Sequence, residues 1–269
     1  MRNSSYLWSA WVLCLALLSG NCQALGPEFE ASPWQNTSGF LPRASIPVDP
    51  LVFARIKATG NDSPPLYATE RDAELIAAAE RNDVQVVAAL LKIHANANAR
   101  DEAGNRPLLH AARRGSVEMV RMLLEAGADP NVNGVGFTPL TVAALNGHTK
   151  VADLLLRAGA YVRLKSNSGL TPLMNAALMN RVPTMEVILK YDSEIDRINS
   201  AGRTALSYAA EGGAEQVLAV LLERGADINL RDFKFNPPLF WAAFYEQRGA
   251  IRFLLRHGAE SSGISIDLL

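Results

Sequence analysis

The sequence predicts an all-α fold, a solenoid of about six helix–turn–helix units joined by β-hairpin or turn tips. Three observations carry this reading. The triplets Arg106-Pro-Leu108, Thr138-Pro-Leu140, Thr171-Pro-Leu173, Thr204-Ala-Leu206 and Pro237-Pro-Leu239 have central residues 32, 33, 33 and 33 positions apart. A second landmark keeps the same beat after leucine-rich runs: Gly127, Gly159, Asp192, Gly225 and Gly258. An alanine pair falls between the landmarks each time, at Ala111-Ala112, Ala143-Ala144, Ala176-Ala177, Ala209-Ala210 and Ala242-Ala243. Ala78-Ala79 and Leu90-Leu91 extend the register one unit further back.

Composition narrows the function classes. With 269 residues, 49% hydrophobic and 20% charged, the chain can bury a sizeable core and does not read as disordered. The 26 basic and 27 acidic side chains leave a net charge of −1, too little to hold a polyphosphate, so no nucleic-acid partner is expected. The two cysteines, Cys14 and Cys22, exclude a disulfide scaffold and a cysteine-based zinc site.

Taken in order, residues 1–24 read as a signal peptide. Arg2 is the only charge before Glu28, and it precedes an apolar run from Leu7 to Leu18 broken only by Ser9. That run falls short of the roughly 20 residues needed to cross a bilayer as a helix, but suits a secretory signal. Cys22 and Ala24 supply small residues three and one before a cut, which places cleavage after Ala24. A lipoprotein signal is disfavoured because Asn21, not a small residue, precedes Cys22; an uncleaved anchor is the other alternative. Cleavage would remove both cysteines, which suits a disulfide-forming compartment. The periplasm is the expected location, with no membrane insertion after cleavage.

Residues 25–68 hold seven of the 14 prolines, so long helices are excluded there and an extended leader is expected. Leu51 to Ile56 could form a short docking helix after Asp49-Pro50.

Within each later unit, Thr-Pro-Leu opens a helix: the hydroxyl caps free amides and proline suits the first turn. Paired alanines let helices approach closely, and the leucine run on the second helix supplies the core. A glycine then ends that helix in the left-handed conformation, and an Asp-x-Asn turn leads onward.

This pattern resembles the ankyrin repeat, over about residues 69–262, with units near 69–101, 102–133, 134–166, 167–199, 200–232 and 233–262. Glu102 to Asn131 and Gly202 to Asn229 are the best matches. The fourth unit departs, with Asn180 in place of the inter-helix glycine and Asp192-Ser193 in place of Gly-Ala; Pro183 falls where a first helical turn tolerates it. It is expected to be the least stable joint. If Asp192 is left-handed, glycine there should stabilise the fold. The sixth unit has Phe235 for the turn glycine and Ser261-Ser262 instead of an apolar continuation, as a terminal cap requires. Residues 263–269 form a tail.

Catalysis has no visible basis. The histidines are His94, His110, His148 and His257; none pairs with another at metal-ligand spacing, and no nucleophile–base set or phosphate loop can be nominated. No cofactor is expected. The i, i+3, i+4 rule groups the variable residues on one face of each first helix. It joins His110 to Arg113 and Arg114, Val142 to Leu145 and Asn146, and Asn175 to Leu178 and Met179. It also joins Tyr208 to Glu211, and Trp241 to Phe244 and Tyr245. The family resemblance implies that this face lines a concave groove with the tips Asn105, Phe137, Leu170, Arg203 and Asn236. The expected partner-binding residues are Arg113, Arg114, Leu145, Asn146, Leu178, Met179, Tyr208, Trp241, Phe244 and Tyr245, because arginine and aromatic side chains anchor interfaces. The reading is a monomeric, exported protein-binding module, a scaffold or accessory factor for another envelope protein. The exported bacterial ankyrin-repeat proteins it resembles imply a role in oxidative-stress defence. The alternatives are an inhibitor or immunity protein that blocks a secreted toxin or envelope enzyme, and a host-directed effector.

Overall fold

The computed structural model describes residues 68–101, 104–134 and 136–261. The expected signal peptide, the leader up to residue 67 and the tail 263–269 lie outside the described residues.

Among these residues the chain forms twelve helices in six pairs: α1 Ala68–Arg81 with α2 Val84–Lys92, α3 Pro107–Arg114 with α4 Val117–Glu125, and α5 Pro139–Asn146 with α6 Thr149–Arg157. The pairs α7 Pro172–Leu178 with α8 Val182–Leu189, α9 Ala205–Glu211 with α10 Glu215–Glu223, and α11 Pro238–Phe244 with α12 Arg248–Arg256 complete the stack. Odd helices pack on the next odd helix, and even helices on the next even one. The result is a two-row solenoid in which each unit touches its neighbours. The tips are turns; one isolated bridge, Gly134 to Phe137, is the extent of β pairing among the described residues.

The start signals act as the sequence implies. Thr138, Thr171 and Thr204 each cap their helix by accepting from the amide three residues on, at 3.1, 3.2 and 3.2 Å. Arg106 and Pro237 occupy the same place in α3 and α11 without a side-chain cap. The alanine pairs, 1% exposed or less, let the odd helices approach closely. Leu90, Leu123, Leu155, Ile188, Leu221 and Leu254 are fully buried at equivalent places on the even helices. Each contributes roughly 2 kcal/mol relative to exposure.

Backbone conformation explains the departures. Asn180 and Glu246 take the left-handed inter-helix position with φ of 52° and 55°, and Phe235 holds the tip glycine's place at 63°. Asp192 does not follow. Its predecessor glycines at 127 and 159 have φ of 82° and 86°, but Asp192 is not left-handed, and α8 ends at a right-handed Lys190 with φ −68°. The expectation that glycine would stabilise this position is therefore corrected. Asp192 is instead a buried partner of Arg163, accepting from Nη2 at 2.8 Å and from the Glu194 amide at 3.1 Å. The even-row contact between α8 and α10 is the thinnest of its row, but the odd-row contact between α7 and α9 at the same joint is the most extensive, so the packing does not single out this unit as a weak joint.

A second inter-unit device runs along the turns. Asn98 donates to the Gly127 carbonyl at 2.8 Å and accepts from the Asp129 amide at 2.8 Å. Asn131 repeats this one unit on, with the Gly159 carbonyl at 3.1 Å and the Tyr161 amide at 2.6 Å. At the next rung Arg163 replaces asparagine and reaches Asp192 and Glu194. Asp196 then accepts from the Asp227 amide through both oxygens at 3.1 Å, and Asn229 accepts from the Glu260 amide at 2.9 Å.

Candidate binding face

The odd helices α3 to α9 are flanked by neighbours on two sides and by the even row behind, so each leaves only a narrow stripe of its surface open, whereas α11, at the end of the row, has an odd neighbour on one side among the described residues. The stripe is built mainly from the last turn. Arg113 is half-buried and Arg114 exposed on α3. Asn146 and Met179 are half-buried beside α5 and α7, and Trp241 and Tyr245 are half-buried at α11. Phe244 is 47% exposed.

Three expected contact residues are not on this open stripe. Leu145, Leu178 and Tyr208 are 5, 9 and 6% exposed and belong to the core. The three- and four-residue rule finds a helical face correctly, but in a stack the adjoining helix covers the side of that face turned toward it. The more open partners of each group are the later residues, such as the half-buried Asn146 and Met179.

At the C-terminal end the face is braced from within. The Arg203 guanidinium lies between the Tyr208 and Trp241 rings, 4.0 and 3.8 Å from their centroids, and pairs with Glu211. Such a desolvated cation–π contact is worth about 2 kcal/mol. Asn199 donates to the Tyr208 hydroxyl at 2.9 Å, and the Trp241 indole N–H donates to Asp232 at 3.2 Å. Burial pushes the Tyr208 phenol up; burial and the nearby Glu211 carboxylate do the same for Tyr245. Phe240 and Phe244 stack at 5.9 Å, and Phe244 meets Tyr245 edge-on at 5.2 Å. Trp241 is thus partly a structural brace, whereas Phe244 presents ring surface to solvent. The tip residues Phe233 and Phe235, 65 and 77% exposed, extend the apolar surface of the same unit.

Arg203 was legible as a tip residue but not as the filling of an aromatic sandwich. Its only signal was the spacing that places Tyr208 and Trp241 one repeat apart. Glu211, grouped with Tyr208 by the sequence, completes that arrangement.

The N-terminal end differs in kind. His110 is 6% exposed, and its Nε2 has no hydrogen-bond partner. Burial, then the Arg113 charge, lowers its pKa. Asn146 and His148 both contact the Arg113 carbonyl, at 3.4 and 3.1 Å, and fix the backbone there. Arg114 donates to the Glu80 carbonyl at 3.2 Å. Among the described residues no group of three His, Cys, Asp or Glu side chains could hold a metal ion, and no helix is long and apolar enough to cross a membrane. The face offers shape, cations and aromatic rings, which are the means of recognition.

Comparison with known proteins gives the same architecture. The family model for ankyrin repeats, in 3 copies, matches residues 75–166 and 159–232, together more than half of the chain. The chain is 38% identical over 104 residues to human "Ankyrin repeat and KH domain-containing protein 1", covering 38% of this chain and 4% of that protein. It is 37% identical over 97 residues to "Dauer abnormal formation protein 25" of Caenorhabditis elegans, covering 35% of this chain and 25% of that protein. It is also 37% identical over 106 residues to bovine "Mitochondrial disaggregase", covering 39% and 15% respectively. The chain thus spans a quarter or less of the length of these relatives.

Proposed function

The chain belongs to the ankyrin-repeat family, and from that premise we propose that it is an exported protein-binding module acting as an accessory factor for another envelope protein. Ankyrin repeats are protein-interaction units. The observation that carries the reading here is the contrast along the inner face: alanines that are almost fully buried alternate, unit by unit, with open side chains of unlike chemistry. Arg113 and Arg114 stand at one end, Asn146 and Met179 in the middle, and Phe244 with Tyr245 at the other. A scaffold that holds its core constant while varying one open stripe is built to recognise a particular surface.

Export is supported by Arg2, the apolar run Leu7 to Leu18 and the small residues at Cys22 and Ala24. The resemblance to exported bacterial ankyrin-repeat proteins supports the periplasm and a role in oxidative-stress defence.

The test expresses the full chain with a C-terminal tag in a Gram-negative host and fractionates the cells. The reading requires a soluble periplasmic product whose N-terminus is Leu25 and which captures a defined envelope protein in stoichiometric amount. A cytoplasmic product that retains Met1 contradicts export, and failure to capture any protein from the envelope contradicts the binding role.

A further inference from the structure

The inner face carries two arginines in opposite situations. Arg203 is buried against two rings and paired with Glu211, so its charge is answered within the fold. Arg113 is half-buried, and its guanidinium makes no ion pair among the described residues; its Nε is enclosed without an acceptor, as is that of Arg203. Three residues earlier on α3, and so on the same side of the helix, His110 is more than nine-tenths buried with Nε2 also unpartnered. Enclosed donors without acceptors cost free energy in a folded protein, and native structures seldom leave them so. Arg114 adds a second exposed cation. Glu80 acts on Arg113 and His110 through space but does not reach ion-pair distance of either.

We propose that the inner face of the first two units is the receptor for an acidic side chain of the protein partner, with Arg113 as the fork that grips the carboxylate and the buried His110 ring behind it on the same helix. The proposal rests on the groove-binding reading above and deepens it by naming the partner's chemistry and polarity. A planar guanidinium presents two parallel N–H donors that match a carboxylate, and such charge-assisted pairs are the strong ones. Burial lowers the proton affinity of both groups, so Arg113 stands as a partly desolvated cation beside a ring that resists protonation, with no carboxylate at ion-pair distance among the described residues. An arriving carboxylate supplies that counter-ion. The apolar end at Phe244 has no such demand, so the partner lies with its acidic segment over α3 and its apolar segment over α11.

The probe is fluorescently labelled hexaglutamate, titrated by anisotropy at an ionic strength of about 0.01 M, where screening reaches about 30 Å. Saturable binding to the full mature chain is expected. Arg113→Gln should weaken it about tenfold, as loss of one charge-assisted fork implies, while Arg252→Gln, an exposed residue of α12, should change it less than twofold. Removing an unanswered cation should leave the melting temperature of Arg113→Gln at or above that of the parent. In a parallel NMR titration with unlabelled hexaglutamate the His110 imidazole resonances should shift in the parent chain. Equal losses in the two variants mean diffuse charge attraction and overturn the proposal, as does an unmoved His110 signal. Displacement of hexaglutamate by low-millimolar inorganic phosphate would assign the site to a small anion instead and also overturn it. If a captured envelope partner binds Arg113→Gln as tightly as the parent, the acidic contact is wrong while the groove reading stands.

Discussion

At the scale of single residues, Asp192 shows how one sequence position can carry two opposite meanings. Its place in the repeat register is that of a glycine. Its chemistry is that of an acceptor, and the fold uses the chemistry: helix α8 ends without a left-handed residue, freeing the side chain to reach Arg163 and the Glu194 amide. Asp192→Gly should therefore destabilise the protein, by about 1–3 kcal/mol for the lost hydrogen bonds to charged groups. Thermal melts of the two chains check this, and a raised melting temperature would restore the left-handed account. Phe235 shows the converse, a ring placed where only glycine is free of strain. Asn180 at the inter-helix place was legible, because asparagine tolerates that conformation better than most residues. Asp192 was not, because the register is blind to an arginine one repeat upstream.

At the scale of elements, the helices were readable because each rule acts within a few residues: a threonine cap, a proline in the first turn, a leucine run, a left-handed stop. The asparagine ladder joins residues about thirty positions apart, and its regularity shows only once the turns are stacked. Asp196 is its weakest rung. A carboxylate can accept from the Asp227 amide but cannot donate to a carbonyl as Asn98 and Asn131 do. Burial raises its pKa above the ordinary 3.8, against the opposing hydrogen bond from the Asp227 amide. The ionised form is thus disfavoured by folding, so stability is greatest below that ordinary value and falls as the pH rises through it toward the raised one. Asp196→Asn should stabilise the protein at neutral pH by about 1 kcal/mol, the worth of one added hydrogen bond. The gain should shrink once the pH drops below the ordinary carboxylate range. Melts at neutral and acidic pH measure it; a gain that persists unchanged in acid would assign it to something other than the charge.

At the scale of the whole molecule, the stack was legible from its period, and the odd helices were legible as carrying an open stripe. Which of their residues remain open was not, since that depends on how far neighbouring helices cover one another. Leu145, Leu178 and Tyr208 went into the core, leaving the open character to Arg113, Arg114, Asn146, Met179, Phe244 and Tyr245. The central claim is that this face, with its aromatic end, binds a protein. The most direct measurement is the affinity of the captured partner for the double variant Phe244→Ala, Tyr245→Ala, made beside thermal melts. Phe244 is nearly half exposed, so the account predicts a small loss of stability, on the order of 1 kcal/mol for the broken ring contacts. Binding should fall about thirtyfold, corresponding to roughly 2 kcal/mol for a truncated anchor. Binding that is unchanged while the melting temperature collapses would contradict it, and would make these rings the cap of the core.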